Sequence, residues 1–331
     1  MKIGVSGYFG YQNLGDEIFL KVWEDLFSGH QVFPLCGYED LSTLDSIIIG
    51  GGDLIIPNKF TSAYWRENFL RLPTWVYGVG VATRIKAEPE VCNKYKSFLN
   101  KCEGVFVRDR KSNDWLIENK VYNKAVVVND IAWNYNMSEV SFNKSNKKIV
   151  GISIRQQSIF DIDNIIKLLS YLAKDMNILM IPLQPGYEKS WNDRYLHEEL
   201  KKEVLKRVKG AKIDIIPPFC NIEQRIKFIE IVDLYITERM HGMLMSLRVG
   251  TPVMPIAVGN KFFRIMERFG LEDMIVDSKN YEKMKEVIKQ IDRVEFSSTV
   301  KKIEEETELE LKKFKKIIFI RISWIILEKM I

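Results

Sequence analysis

The residues with the clearest chemical potential form the run TERMHG, from Thr237 to Gly242. A strand-like run, DLYIT, ends at Thr237 and a predicted helix begins at Met240, so Arg239 and His241 should lie beside exposed N–H groups at a helix N-terminus. The ordinary pKa of a histidine lies near neutrality, and His241 is one of three histidines in the chain. The run predicts an anion-binding site with a proton donor; the alternative is a surface histidine at a helix start that Thr237 caps.

Two other predicted strands of the same half end close to a cation. Arg155 follows the run GISI, and Lys261 follows PVMPIAVGN and opens the next helix. Ligands of parallel sheets bind beyond the carboxyl ends of the strands, so both cations are expected near His241. His30 and His197 have no such neighbours and are expected to be exposed to solvent.

A loop in the first half carries carboxylates instead. Residues 7–17, GYFGYQNLGDE, connect the first predicted strand to the first predicted helix, and their glycine spacing matches neither GxGxxG nor the phosphate-binding GxxxxGK[ST]. Asp16 and Glu17 either complement the helix dipole or accept hydrogen bonds from sugar hydroxyls. Two negative charges would repel a phosphate, so the loop is predicted to hold an acceptor rather than an anionic donor.

Glycine-rich loops follow two more strands of the first half, at residues 50–53 and 78–80. Such loops let the backbone approach a ligand closely, although a plain tight turn explains them equally well. Arg84, Arg108 and Arg110 come shortly after strand ends, where they would form either a cationic rim or surface ion pairs.

Short apolar runs alternate with amphipathic stretches in both halves, which predicts parallel α/β structure. The predicted strands are residues 3–6, 31–35, 46–49, 74–77, 104–107, 125–128, 149–154, 177–181, 212–216, 233–237 and 253–257. The predicted helices are residues 14–27, 112–119, 162–174 and the charged stretch 188–209, with further helices starting at residues 223, 240 and 261. A segment rich in Asn, Ser and Lys, residues 134–148, separates the halves. The predicted fold class is α/β, with two doubly wound, mostly parallel sheets facing a cleft and a long C-terminal helix. We place the domains at residues 1–140 and 148–297, with the helix at residues 298–331.

Composition excludes several classes of protein. With 46% hydrophobic and 28% charged residues the chain is an ordinary folded protein, and a net charge of +5 is too small to indicate nucleic-acid binding. The four cysteines lack CxxC spacing and are expected to be reduced core thiols, with no metal site. The N-terminus does not read as a secretory signal, which predicts a cytoplasmic protein.

Taken together, these residues resemble the polysaccharide pyruvyl transferase family. The resemblance rests on GYFGYQNLGDE (7–17), IIIGGGDLI (47–55), YGVGVATR (77–84), FVRD (106–109), ND (129–130), GISIR (151–155), IPLQ (181–184), ERMHGMLMSLRVGTPV (238–253) and KFFRIMERFGL (261–271). Ala82 and Thr83 depart from the Gly-Pro that relatives often carry.

The resemblance implies a glycosyltransferase-B fold and transfer of pyruvate from phosphoenolpyruvate to a sugar of a cell-surface polysaccharide or its polyprenyl-linked precursor, as a ketal. Phosphoenolpyruvate would be a co-substrate, with no other cofactor. Several cationic side chains would be needed to bind its carboxylate and its phosphate. The donor-binding residues implied are Arg239, Lys261, Arg155, Arg108 and Arg84.

By the same resemblance, His241 would protonate the enol carbon, and Asp16 or Asp130 would receive the proton of the attacking hydroxyl. The acceptor-binding residues would be Asn13, Asp16, Glu17, Gly51 and Gly52. Two other functions stay open: a nucleotide-sugar-dependent glycosyltransferase of the same fold, and a non-catalytic glycan-binding subunit. An assay that compares phosphate release from phosphoenolpyruvate with nucleotide release from a nucleotide sugar distinguishes these functions.

The C-terminal tail is mostly apolar behind the basic run KKFKK, residues 312–316. Three interpretations compete: a helix docked on a domain, a peripheral anchor on the anionic inner leaflet of a membrane, and a contact in a homo-oligomer.

Overall fold

The computed structural model describes residues 1–137, 148–156, 160–186, 188–257, 262–291 and 296–330. The chain folds into two compact units. The first comprises Met1–Gly10, Gly15–Asn136 and Ile303–Ile331, and the second comprises Tyr11–Leu14 and Met137–Lys302.

The first unit is built on a parallel sheet of six strands in the order β2-β1-β3-β4-β5-β6. Its strands are β1 (Lys2–Ser6), β2 (Gln31–Pro34), β3 (Ser46–Gly50), β4 (Thr74–Val79), β5 (Gly104–Val107) and β6 (Val126–Val127). Strand β3, with the sequence SIIIG, is buried along its whole length, as expected for a central strand of a parallel sheet.

Three helices connect these strands: α1 (Leu14–Leu26), α2 (Pro89–Leu99) and α3 (Arg110–Glu118). Asp16 and Glu17 lie in the first turn of α1, where carboxylates complement the helix dipole. Asp109 caps α3 by accepting the N–H of Ser112 at 2.7 Å.

The second unit has a parallel sheet of five strands in the order β11-β10-β7-β8-β9. Its strands are β7 (Ile149–Ser153), β8 (Asn177–Met180), β9 (Ile213–Ile215), β10 (Leu234–Thr237) and β11 (Val253–Pro255). Its helices are α4 (Ile162–Leu172), α5 (Asp193–Arg207), α6 (Ile222–Ile231), α7 (Met240–Arg248), α8 (Phe263–Met266) and α9 (Tyr281–Gln290).

A long helix, α10 (Ser297–Met330), ends the described chain and packs on the first unit from Ile303 onward. Phe314, 1% exposed, contacts the rings of Trp23, Trp75, Tyr77 and Phe106. The tail is thus a docked helix over this stretch. None of the described helices is long and apolar enough to cross a membrane.

The predicted fold class, two parallel-sheet α/β domains with a long C-terminal helix, is confirmed. The predicted charged helix over 188–209 begins only at Asp193, because Asn192 caps it by accepting the N–H of Arg194 at 2.9 Å. Of the polar segment that we placed between the domains, residues 138–147 lie outside the described part of the chain.

The expectation of four core thiols is wrong for Cys36. Cys92 and Cys220 are buried and Cys102 is partly buried, but Cys36 is exposed. It follows β2, which lies at the edge of the first sheet.

Candidate functional site

Three neighbouring strands of the second unit, β10, β7 and β8, end at the same edge of the sheet. A carboxylate from the start of α5 connects the loops that follow them. Asp193, 0% exposed, accepts the backbone N–H groups of Gln156 at 3.2 Å and Gln184 at 3.1 Å. Its carboxylate also accepts hydrogen bonds from Nε of Arg239, at 3.1 Å, and from Nη2 of the same guanidinium. Asp193 therefore fixes both the loops and the cation.

Arg239 makes further contacts that set its direction. Its Nη1 donates to Oε1 of Gln184 at 3.0 Å. Of the five N–H groups of the guanidinium, these contacts within the described residues occupy three, so one on Nη1 and one on Nη2 are left for a ligand. Such a pre-oriented pair suits an oxygen anion.

Arg239 is also the N-cap residue of α7, so the expectation that Thr237 caps this helix is wrong. The hydroxyl of Thr237 accepts the N–H of Arg239 itself, at 2.9 Å, and so shapes the turn before the helix. His241 is the second residue of α7 and is partly buried, which places it where the prediction had it, in the first helical turn.

The segment Tyr11–Leu14 belongs to the second unit. Asn13 donates to Oε1 of Gln184 at 3.2 Å, so it shares this oxygen with Arg239. Arg225 donates to the carbonyl of Gln12 at 2.8 Å, and Gln12 has a left-handed φ of 59°. The structure thus places Asn13 beside Arg239, and the predicted role of Asn13 in binding the acceptor stays a prediction.

A second buried carboxylate stands beside Arg155. Glu238, whose side chain is 1% exposed, accepts the N–H of Arg155 at 3.3 Å, and its Oε1 lies 3.8 Å from Nη2 of that arginine. Both predicted cations that the structure describes here thus face a buried acid. The predicted donor ligand Lys261 lies outside the described residues.

His197 is not exposed to solvent as predicted. It is 0% exposed on α5, with Nε2 at 3.1 Å from both the backbone N and the backbone O of Ile154. Burial lowers the pKa of His197 to about 4, against the opposing effect of Asp193. The ring is therefore neutral at pH 7 and holds the end of β7. His30 is exposed, as predicted.

At the carboxyl edge of the first unit, a cluster of acids lies around one arginine. The side chain of Arg108, 7% exposed, contacts Asp53 and lies 3.4 Å from Asp130 and 3.9 Å from Asp109. Burial alone would lower the pKa of this guanidinium, but the carboxylates, with a weaker effect of Asp16, raise it. Arg108 is thus enclosed by acids of its own unit, and its role as a donor ligand stays a prediction.

Four of the five predicted acceptor residues, all but Asn13, lie at this same edge. Glu17 accepts the N–H of Gly10 at 2.8 Å. Gly51 and Gly52 have left-handed φ values of 85° and 76°, and a Cβ on Gly52 would stand 3.2 Å from Oδ1 of Asp16. Gly52 therefore brings the backbone close to that carboxylate.

Asp130 has a local structural task, because it accepts the N–H of Ala132 at 3.0 Å and caps a short 3₁₀ helix. Arg84 is exposed in the segment that follows β4. Among the described residues, no group of three or more His, Cys, Asp or Glu side chains is arranged to hold a metal ion.

Sequence reasoning missed Asp193, Glu238 and Gln184. Glu238 and Gln184 do stand inside the runs that we singled out, TERMHG and IPLQ. Asp193 carries no pattern of its own, since it looks like one more charge in a charged helix.

Known structures share this architecture. UDP-GlcNAc 2-epimerase from Rickettsia bellii superposes with a TM-score of 0.60 at 12% identity, covering 98% of this chain and 97% of that one. The enzyme from Neisseria meningitidis, bound to UDP-GlcNAc, gives 0.57 at 10% identity, over 96% and 100%. At such identities the likeness shows the fold alone, which is glycosyltransferase-B.

No curated protein matches the chain. A family model described as polysaccharide pyruvyl transferase matches residues 13–260, a span that holds Asn13, Asp16, Asp193, Arg239 and His241. It covers well over half of the chain, and the protein therefore belongs to the polysaccharide pyruvyl transferase family.

Proposed function

We propose that this protein transfers the pyruvyl group of phosphoenolpyruvate to a sugar of a cell-surface polysaccharide, or of its lipid-linked precursor, and forms a ketal. The observation that carries the proposal is the Arg239 guanidinium, held by Asp193 and Gln184 at the start of α7 with His241 two residues on. Two N–H groups of a fixed guanidinium and the N-terminus of a nine-residue helix fit a small donor with two anionic groups, a carboxylate and a phosphate.

The chemistry balances with one proton moved at a time. His241 donates a proton to C3 of phosphoenolpyruvate, which leaves a cationic centre at C2 next to the phosphate ester oxygen. A sugar hydroxyl attacks C2 and gives its proton to Asp16 or Asp130. The C2–O bond to phosphate then breaks, a second hydroxyl closes the ketal, and its proton leaves with the phosphate. The aspartate releases its proton to solvent and His241 takes one up, which restores both groups for the next turnover.

The two edges divide this work. Asp53, Asp109 and Asp130 lie around Arg108, and Asp16 acts on it more weakly, so this cluster disfavours an anion and favours neutral hydroxyls as hydrogen-bond donors. In the second unit the charges of Arg239 and Arg155 are balanced by buried acids. Affinity for the donor should therefore come from directed N–H groups, the α7 terminus and Lys261 rather than from surplus charge.

A nucleotide-sugar glycosyltransferase is the second candidate, because a solved structure of the same fold contains UDP-GlcNAc. Calorimetry with phosphoenolpyruvate and with UDP-GlcNAc separates the two functions without knowledge of the acceptor. We expect phosphoenolpyruvate to bind and Arg239→Ala to weaken it by about 1.5 to 3 kcal/mol, the value of a charge-assisted hydrogen bond. Arg207→Ala, an exposed arginine of α5, is the control and should change nothing.

Binding of UDP-GlcNAc with no heat from phosphoenolpyruvate would replace the proposal with the glycosyltransferase. Binding of neither, with retention on a glycan column, would indicate a non-catalytic subunit. Phosphate release from phosphoenolpyruvate in the presence of a glycan acceptor then tests turnover.

A further inference from the structure

The last third of α10 leaves a row of apolar side chains exposed. Ile317, Ile320, Trp324 and Leu327 are 41%, 60%, 60% and 54% exposed, and their spacing of three and four residues puts them on one face of the helix. Ile318 and Ile322, by contrast, are buried against the first unit. Helix α10 therefore has two apolar faces, and docking covers one of them. We call the exposed row the apolar stripe.

The contacts of α10 show where the stripe lies. Glu310 accepts the N–H of Asn129, just after β6, at 2.9 Å, which fixes the first part of the helix at the carboxyl edge of the sheet. Arg321 pairs at 3.0 Å with Glu103, just before β5, which fixes the later part at the amino edge. At about 1.5 Å per residue, the stripe is centred roughly 20 Å from Glu310. The apolar stripe therefore lies at the edge of the sheet opposite the acids around Arg108.

This amino edge is basic. Exposed basic side chains precede four strands of the sheet or start them: Lys2, Arg71, Lys101, Lys120 and Lys124. The nearby acids are fewer: Asp45 accepts the N–H of Lys2, and Glu103 pairs with Arg321. Glu67 begins the 3₁₀ helix that ends at Arg71, and Glu118 ends α3 before Lys120. The helical turn before the stripe adds exposed lysines at Lys312, Lys313 and Lys316. An apolar row next to a basic surface is complementary to an anionic lipid headgroup layer.

We propose that the amino edge of the first unit, with the apolar stripe of α10, is a peripheral binding surface for anionic membranes. Trp324 and the isoleucines would enter the interfacial layer, where tryptophan is favoured, and the lysines would meet the lipid charge. A second copy fits less well, because a two-fold contact through this surface would place one basic edge against another. The inference does not depend on the transfer chemistry.

Flotation of the full chain with vesicles tests the proposal. We expect binding to vesicles that contain phosphatidylglycerol, weakened by high salt, and much weaker binding to vesicles of phosphatidylcholine alone. The double variant Ile320→Ser, Trp324→Ser should bind about tenfold or more less tightly, since it removes the exposed apolar surface. The double variant Lys120→Glu, Lys124→Glu should lose most of the salt-sensitive binding to anionic vesicles.

Leu309→Ser is the matched control, because Leu309 is 54% exposed on the same helix but lies before the stripe, toward the carboxyl edge; its binding should equal that of the parent. All these side chains are exposed, so unchanged thermal midpoints confirm folding. A parent protein that stays in the soluble fraction with anionic vesicles overturns the proposal, as does a stripe variant that floats like the parent. A dimer that the stripe variant dissociates, without vesicle binding, assigns the stripe to a second copy instead.

Discussion

Arg239 owes its position to a carboxylate that forms no recognisable motif. Asp193 accepts four hydrogen bonds with no exposure to solvent, two of them from this one guanidinium. A buried acid of this kind stabilises a fold only while its partners are in place, since each charge alone is costly to bury.

Asp193→Asn should therefore destabilise the protein by about 3 kcal/mol, because it leaves the Arg239 cation without its counter-charge. Asp214→Asn, in β9, is the control: that side chain is exposed, and its change should stay within about 0.5 kcal/mol. Thermal unfolding measures both. Equal midpoints for the two variants would show that Asp193 does not hold the site together.

His241→Gln tests the proton donor. The variant keeps a hydrogen-bonding side chain of similar reach but cannot donate a proton as a general acid. We expect turnover to fall about 10²- to 10⁴-fold, as is typical for loss of general acid catalysis, while the affinity for phosphoenolpyruvate stays within tenfold. Phosphate-release kinetics and calorimetry give the two numbers. Turnover close to that of the parent would remove His241 from the mechanism.

The buried His197 predicts a pH dependence of stability. Its pKa is about 4 in the fold against an ordinary 6.5, so below pH 6.5 the unfolded chain takes up a proton that the folded chain refuses. Stability should fall by about 3 kcal/mol from pH 6.5 to pH 4 and stay level above that range. His197→Gln should lack this component in urea titrations, whereas the exposed His30→Gln should keep it. A pH profile of His197→Gln that parallels the parent contradicts the prediction.

Among single residues, the sequence predicted where the cations of the site lie but not which acids they pair with. Arg239 and His241 could be found because strand-end position and residue type point to chemistry directly. Asp193 and His197 could not, since their burial depends on how α5 packs against the loops after β7 and β8. Residue type predicts exposure for both, and tertiary packing overrides it.

Among the elements, strands were predicted best. Buried parallel strands such as β3 are short continuous apolar runs, and their ends fall within two residues of the predicted positions. Helix boundaries were less accurate: α5 begins five residues after the predicted start, because the cap at Asn192 is a local hydrogen bond that composition does not show. Helices α2 and α9 were not predicted.

Helix α10 explains why the tail was ambiguous from sequence. The buried row, Leu311, Phe314, Ile318 and Ile322, and the apolar stripe occupy different faces, so the apolar residues surround the last turns. Such a pattern does not identify one face for packing. Only the contacts of Phe314 establish which face docks.

Phe314→Ala should cost about 3 to 5 kcal/mol, because it opens a cavity among aromatic rings that cannot close over it. Its ring centroid lies 4.3 Å from that of Tyr77 and 5.3 Å from that of Phe106. Leu309→Ala, on an exposed position of the same helix, should cost less than about 0.5 kcal/mol. Urea denaturation followed by circular dichroism compares them, and similar midpoints would mean that α10 is not docked through Phe314.

Over the whole molecule, the charged side chains near the proposed site form pairs and clusters. Acids lie around Arg108 where strands of the first unit end, which we call the acidic edge, and exposed basic side chains stand where four of its strands begin. The second unit pairs each described donor cation with a buried acid. Under the proposed function, an anionic donor is thus repelled from the acidic edge and received where N–H groups are oriented. Neutral sugar hydroxyls are favoured at the acidic edge.

Asp16→Asn tests this division of labour. The variant removes one negative charge and a proton acceptor from the acidic edge while it keeps the size of the side chain. Transfer to a glycan should fall at least about tenfold, because hydroxyl activation loses its base, while phosphoenolpyruvate affinity stays equal or becomes slightly higher as repulsion decreases. Calorimetry and phosphate release separate the two effects, with Asp45→Asn, at the opposite edge, as the control. Loss of phosphoenolpyruvate binding with transfer otherwise intact would place the donor against Asp16 and reverse the assignment of the two edges.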